Sequence, residues 1–182
     1  MSETPKISEP LWVFGYGSLI WNPDFPVVER QIARATDWRR SFCMRSIHHR
    51  GSFDAPGLVL ALDHAQGSIC DGVAFRVTPG AEAATLQTLR YRELISSAYL
   101  ETTLPLVLAD GRTINALAYV IDPDHDQYCG NLPLAEQAHI IANATGGRGA
   151  NRDYLFATAD HLAELGIVDA DLAWLAAQVR QA

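Results

Sequence analysis

Apolar positions in the first half of the chain fall in short runs or alternate with polar ones, as strands require, whereas those of the last third recur at helical spacing. The run Leu11, Trp12, Val13, Phe14 leading into Tyr16 predicts a buried strand near residues 11–16, with further strand pieces near 33–44, 57–63 and 69–77. Thr78-Pro79 reads as a helix start, a capping hydroxyl before a proline suited to the first turn. It predicts a helix over about 79–94, with Glu82 near the positive end of its dipole. Two β-prone runs, 104–108 and 114–121, are joined through Asp110-Gly111, a pair suited to a tight hairpin. Helices follow near 133–143, 151–165 and 169–180, with Gly146-Gly147 and Gly166 as stops. Strands first, one helix among them and helices last point to an α+β fold rather than an alternating parallel sheet.

Composition narrows this picture. A chain of 182 residues that is 48% hydrophobic suits one domain, expected over residues 11–182 after a flexible polar segment at 1–10. The formal net charge of −7 argues against a nucleic-acid partner, since neutralising phosphates takes an excess of lysine and arginine. Cys43, Cys70 and Cys129 are odd in number and lack Cys-x-x-Cys spacing, so they read as reduced thiols. With no apolar leader in the first ten residues and no run long enough to cross a bilayer, the expectation is a cytoplasmic protein with no membrane partner.

Several partial motifs fail on inspection. Gly15-Tyr16-Gly17 has Ile20 where a dinucleotide loop needs its third glycine. Asp122, Asp124 and Asp126 imitate the start of a calcium loop, but Gln127 replaces the turn glycine and Pro133 the closing glutamate. No histidines have His-x-x-x-His spacing, and no metal is expected. Gly146-Gly147-Arg148-Gly149 lacks the lysine of a phosphate loop and reads as a helix closure.

Two features carry candidate chemistry. Gly15-Tyr16-Gly17-Ser18 is a strand-ending turn in which glycine leaves backbone N–H groups bare toward a small anion. Leu86, Leu89 and Glu93 fall at i, i+3 and i+7, so a carboxylate lies on the stripe that two leucines turn toward the core. An acid there is either placed for use or paired with Arg90 and Arg92 at a frayed helix end. The basic stretch Arg39, Arg40, Arg45, His48, His49, Arg50 reads as a solvated strand face or as a device steering an anionic substrate.

In combination and in order, Val13-Phe14-Gly15-Tyr16-Gly17-Ser18-Leu19-Ile20-Trp21, Ser46-Ile47-His48-His49-Arg50-Gly51, Tyr91-Arg92-Glu93 and Asn151-Arg152-Asp153-Tyr154-Leu155-Phe156 resemble the ChaC-like glutathione-specific γ-glutamylcyclotransferases. The resemblance implies a γ-glutamylcyclotransferase-like fold, a small mixed β-barrel packed by helices, with no metal or organic cofactor. It implies conversion of glutathione to 5-oxoproline and cysteinylglycine. It assigns Val13, Phe14, Gly15, Tyr16, Gly17, Ser18 and Leu19 to holding the glutamyl moiety, Tyr154 to the pocket, and Glu93 to general acid/base work. A cyclotransferase for other γ-glutamyl amides and a non-catalytic binder or regulator of γ-glutamyl compounds remain as alternatives.

The implied reaction is consistent with the residues. The substrate brings its own nucleophile, so no serine, cysteine or metal is needed, only a group that takes a proton from the α-amine and returns one to the leaving nitrogen. With ordinary pKa values of about 4.3 for glutamate and about 7.7 for an α-amine, that transfer is uphill by roughly 4.6 kcal/mol. Partial burial of Glu93 is expected to narrow the gap by raising its pKa.

Overall fold

Five strands close on themselves: β1 (Trp12–Gly15), β2 (Val27–Ser46), β3 (Gly57–Val77), β4 (Tyr99–Leu108) and β5 (Thr113–Ile121), in the order β1-β3-β2-β4-β5. The barrel is mixed, because β5 runs parallel to β1 at Val13 and Leu117 and to β3 at Leu62 and Val120, while the other ladders are antiparallel. The computed structural model describes residues 9–95 and 97–182, so most of the flexible segment expected over 1–10 lies outside the described residues.

The strand pieces expected at 33–44, 57–63 and 69–77 are parts of one long ribbon of β2 and β3. Thr36 faces Ile69 and Trp38 faces His64, so residues 65–68 bulge out between paired segments. Gly67, at φ 82, makes that bend, and its N–H donates to Asp37 Oδ1 at 2.9 Å. The expected gap after residue 63 is thus a bulge inside a strand rather than a break.

Alternation along β1 explains its continuous apolar run, since both of its faces are covered. Trp12 and Phe14 enter the barrel with Leu104, Leu106 and the small Ala116 and Ala118. Val13 points outward onto Leu89 of α1 (Glu82–Glu93). Fully burying Leu89 contributes roughly 1.5–3 kcal/mol and seats the end of α1 beside the first strand. The helix begins later than Thr78-Pro79 suggests. Those two residues form a turn in which Ala81 N–H donates to the Thr78 carbonyl at 3.0 Å, and the Glu82 carboxylate accepts from Gly80 N–H at 2.8 Å.

The last three helices, α2 (Leu134–Asn143), α3 (Asn151–Glu164) and α4 (Ala170–Arg180), lay Ile141, Leu155 and Leu175 against Phe42, Leu58 and Phe75 on the outer face of the ribbon. Gly166, at φ 72, closes α3 as expected. Gly146-Gly147 does not close α2, which ends at Asn143 with Ala144 already extended. Gly146 instead ends a short strand, β6 (Thr145–Gly146), and Gly147 with Arg148 forms the tip that joins it to β7 (Gly149–Ala150). Among the described residues, no helix is long and apolar enough to cross a membrane.

Candidate active site

The chain leaves β1 at Gly15 and turns through Tyr16 and Gly17 into a single 3₁₀ turn over Ser18–Ile20. Helix starts leave their first N–H groups without intrahelical partners, so this turn presents donors as well as the Ser18 hydroxyl. Two adjoining chambers open beside it, an outer one of about 580 Å³ and an inner one of about 40 Å³. Ser18, Glu93, Tyr99 and Tyr154 line both, so the carboxylate stands at their junction. The combined space is in the usual range for a small-molecule site.

Glu93 is the last residue of α1, and its side chain retains 17% of its exposure. Burial pushes its carboxyl above the ordinary carboxylate range, opposed by the nearby charges of Arg92 and Arg148. Arg92 Nε lies 3.3 Å from Glu93 Oε1, and the same guanidinium donates to Ser18 Oγ at 3.0 Å and to the Asn22 carbonyl at 2.6 Å. One arginine therefore ties the helix end to the glycine turn. Arg90, the other partner considered for Glu93, makes a two-pronged pair with Glu101 instead.

A second bulge explains the tyrosine cluster. Between Ser41 and Met44 the β2–β3 register slips, leaving Leu60 without a ladder partner. Its N–H donates to the Tyr154 hydroxyl at 3.2 Å, and its carbonyl accepts from the Tyr99 hydroxyl at 3.0 Å. Tyr16 donates to the Tyr119 carbonyl at 2.6 Å. Burial, with the Glu93 charge adding to it, raises the pKa of each of these phenols, that of Tyr154 to about 12. All three stay neutral hydroxyls in the working range.

The structure gathers Phe14, Tyr16, Gly17, Ser18, Leu19, Tyr154 and Glu93 around the chambers. Val13 and Gly15 line neither: Val13 packs outward on Leu89, and Gly15 lies against Phe75, whose ring a Cβ there would meet at 2.8 Å. Sequence reasoning did not single out Tyr99, and it read Arg92 only as a surface partner. Tyr99 has no local signal, because it arrives through barrel closure, whereas Arg92 is marked only by lying next to Glu93.

The basic stretch does not behave as one face. Arg40 is 6% exposed and donates to the carbonyls of Tyr16 and Asp71 and, at 2.9 Å, to Asp169 Oδ2. It is a buried strut, which corrects its reading as part of a solvated face. His48, His49 and Arg50 line the outer chamber.

The ChaC-like protein family matches residues 11–182. A glutathione-specific γ-glutamylcyclotransferase of Escherichia coli is 38% identical over 94% of this chain and 74% of its own length. γ-Glutamylcyclotransferase 2-3 of Arabidopsis thaliana is 35% identical over 93% of this chain and 88% of its own. Among solved structures, a yeast γ-glutamyl cyclotransferase specific to glutathione superimposes with a TM-score of 0.85 at 22% identity, covering 94% of this chain and 96% of that one. A family match over nearly the whole sequence, relatives above 30% identity and a shared barrel agree: the chain belongs to the ChaC-like family.

Proposed function

We propose that this protein is a glutathione-specific γ-glutamylcyclotransferase that works without a cofactor, with Glu93 as its acid/base. The observation that carries the reading is a part-buried carboxylate at the junction of two chambers, beside a glycine turn with bare donors. The names of the curated relatives supply the substrate, and the chemistry of the chambers fits it.

In this reading the γ-glutamyl end enters the inner chamber and bends so that its α-amine meets its own γ-carbonyl carbon. Held orientation of that kind can remove several kcal/mol from a ring closure. Glu93 accepts a proton from the amine as the new C–N bond forms. The N–H groups of Gly17 and Ser18 and the Ser18 hydroxyl donate to the substrate carboxylate or to the developing oxyanion. The amide C–N bond then breaks, Glu93 passes its proton to the leaving cysteinyl nitrogen, and 5-oxoproline and cysteinylglycine are released with no water consumed.

Raised by burial, the Glu93 carboxyl is better matched to an amine than an ordinary glutamate is, which lowers the cost of the first transfer. Buried thiols at Cys43 and Cys70 suit a reducing compartment, and the proposal includes a cytoplasmic location. The test is to incubate purified protein with glutathione and quantify 5-oxoproline and cysteinylglycine. Equimolar release is expected; bound glutathione without either product would leave a binding protein in place of an enzyme.

A further inference from the structure

The outer chamber carries a charge opposite to that of the whole molecule. The chain has 21 acidic residues against 14 lysines and arginines. Among the described residues of the chamber wall, however, Arg50, Arg92, Arg148, His48 and His49 face a single carboxylate, Glu93. Two of the three guanidinium groups are already occupied. Arg92 is bound by Asn22, Ser18 and Glu93. Arg50 donates to the carbonyls of Arg148 and Ala150, and its guanidinium lies 5.6 Å from the centre of the Tyr154 ring.

Arg148 differs from both. Its guanidinium has no hydrogen bond or ion pair with any described residue, while its main chain is fixed on both sides. Its N–H donates to the His49 carbonyl at 2.9 Å, its carbonyl accepts from Arg50 Nη1 at 3.0 Å, and Gly147 N–H donates to the His48 carbonyl at 2.7 Å. A Cβ at Gly146 would come within 2.5 Å of the backbone at His49 and Gly51, so only glycine lets the hairpin lie this close. The β6–β7 tip is thus a rigid mount for an uncommitted cation at the chamber wall.

We propose that Arg148, with His49 beside it, receives the terminal carboxylate of the leaving peptide, and so selects γ-glutamyl peptides with a free C-terminus over γ-glutamyl amides without one. This rests on the reading that the γ-glutamyl end lies at Glu93. Arg148 and Glu93 line the same chamber without pairing to each other, and two residues of extended peptide reach roughly 7 Å beyond the scissile bond. A guanidinium offers a carboxylate paired donors, which an ammonium cannot.

The test pairs a protein change with a substrate change. Arg148→Gln leaves the hairpin's main-chain bonds in place, and the residue is exposed, so the variant is expected to fold. It should raise KM for glutathione about tenfold with kcat nearly unchanged at pH values above the acid limb, because a contact remote from the reacting atoms binds ground and transition states alike. For the glycinamide analogue of glutathione, wild type and variant should share one high KM, and Arg148→Lys should recover part of the loss on glutathione. An equal KM increase on acid and amide, or none on either, overturns the proposal.

Calorimetric binding of acid and amide, with and without Arg148→Gln in a Glu93→Gln background, separates it from the catalytic reading. Carboxylate-dependent binding by a wild type that makes no 5-oxoproline would keep Arg148 and sink the cyclotransferase. Turnover with no preference for the carboxylate would do the reverse.

Discussion

Glu93 lies between opposing influences: removal from water raises its pKa, and the Arg92 and Arg148 charges lower it, with burial the largest. Two consequences follow for Glu93→Gln. Turnover should fall by about a hundred- to ten-thousandfold, the range for losing a general acid/base, while glutathione binding persists. The stability effect has the opposite sign. A carboxyl whose folded pKa exceeds its unfolded value favours the native state most below the unfolded pKa, and that contribution disappears as pH rises through the folded one. At pH 7 the buried charge is a net cost that glutamine lacks, so the variant should melt higher than wild type there, with the gap closing toward pH 4. Thermal melts across that range check it, and the wild-type kcat/KM profile should show its acid limb above the ordinary carboxylate pKa. Gly17 gives a complementary case. A Cβ there would make ordinary contacts of 3.6 Å to the Tyr154 hydroxyl and 3.8 Å to Leu60, so Gly17→Ala should melt within about 2 °C of wild type. Its methyl would intrude on the inner chamber, and kcat/KM should drop tenfold or more; wild-type kinetics would remove the turn from the substrate's path.

Elements show why some of this was legible in the sequence and some was not. The glycine turn and the acid on a leucine stripe are local patterns, and both lead to the chambers. The hairpin through Asp110-Gly111 was equally local, with Gly111 at φ 91. Register slips are not local, since the bulge that frees Leu60 exists only once β2 and β3 are paired, and with it comes the reason for Tyr99 and Tyr154 to be where they are. The role of Arg40 was hidden for the same reason. It reads as one more charge in a basic run, yet it joins β2 to the Tyr16 carbonyl, the Asp71 carbonyl and Asp169, the residue that caps α4 through Leu172 N–H at 3.0 Å. Replacing it by leucine leaves Asp169 without its ion-pair partner and takes the guanidinium donor from two carbonyls. Breaking a buried pair in this way costs about 3–5 kcal/mol, and urea unfolding of Arg40→Leu should show a loss of that order. A loss under about 1 kcal/mol would mean that the barrel and α4 hold the turn without it.

On the scale of the whole molecule, electrostatics divides the surface. A net charge of −7 repels an anionic substrate from most directions, while the outer chamber gathers three arginines from the bend after β2, the end of α1 and the β6–β7 hairpin, far apart in sequence. Only the 39–50 part of that lining stands out in the sequence, because Arg92 and Arg148 join it through folding. Capture by such a patch is weakened by salt, since the Debye length shrinks from about 30 Å at 0.01 M to about 8 Å at 0.15 M. The repulsion from distant acids acts over longer paths and is screened first, whereas contact with the chamber cations is screened last. If capture at close range dominates, KM for glutathione should rise with ionic strength while kcat holds, and the rise should be smaller for the glycinamide analogue, which carries one carboxylate fewer. If long-range repulsion dominates, KM should instead fall as salt is first added, before rising. A salt series from 10 to about 300 mM with both substrates distinguishes these outcomes. A flat response for both would show that the chamber's positive lining holds its own fold together and plays no part in drawing the substrate in.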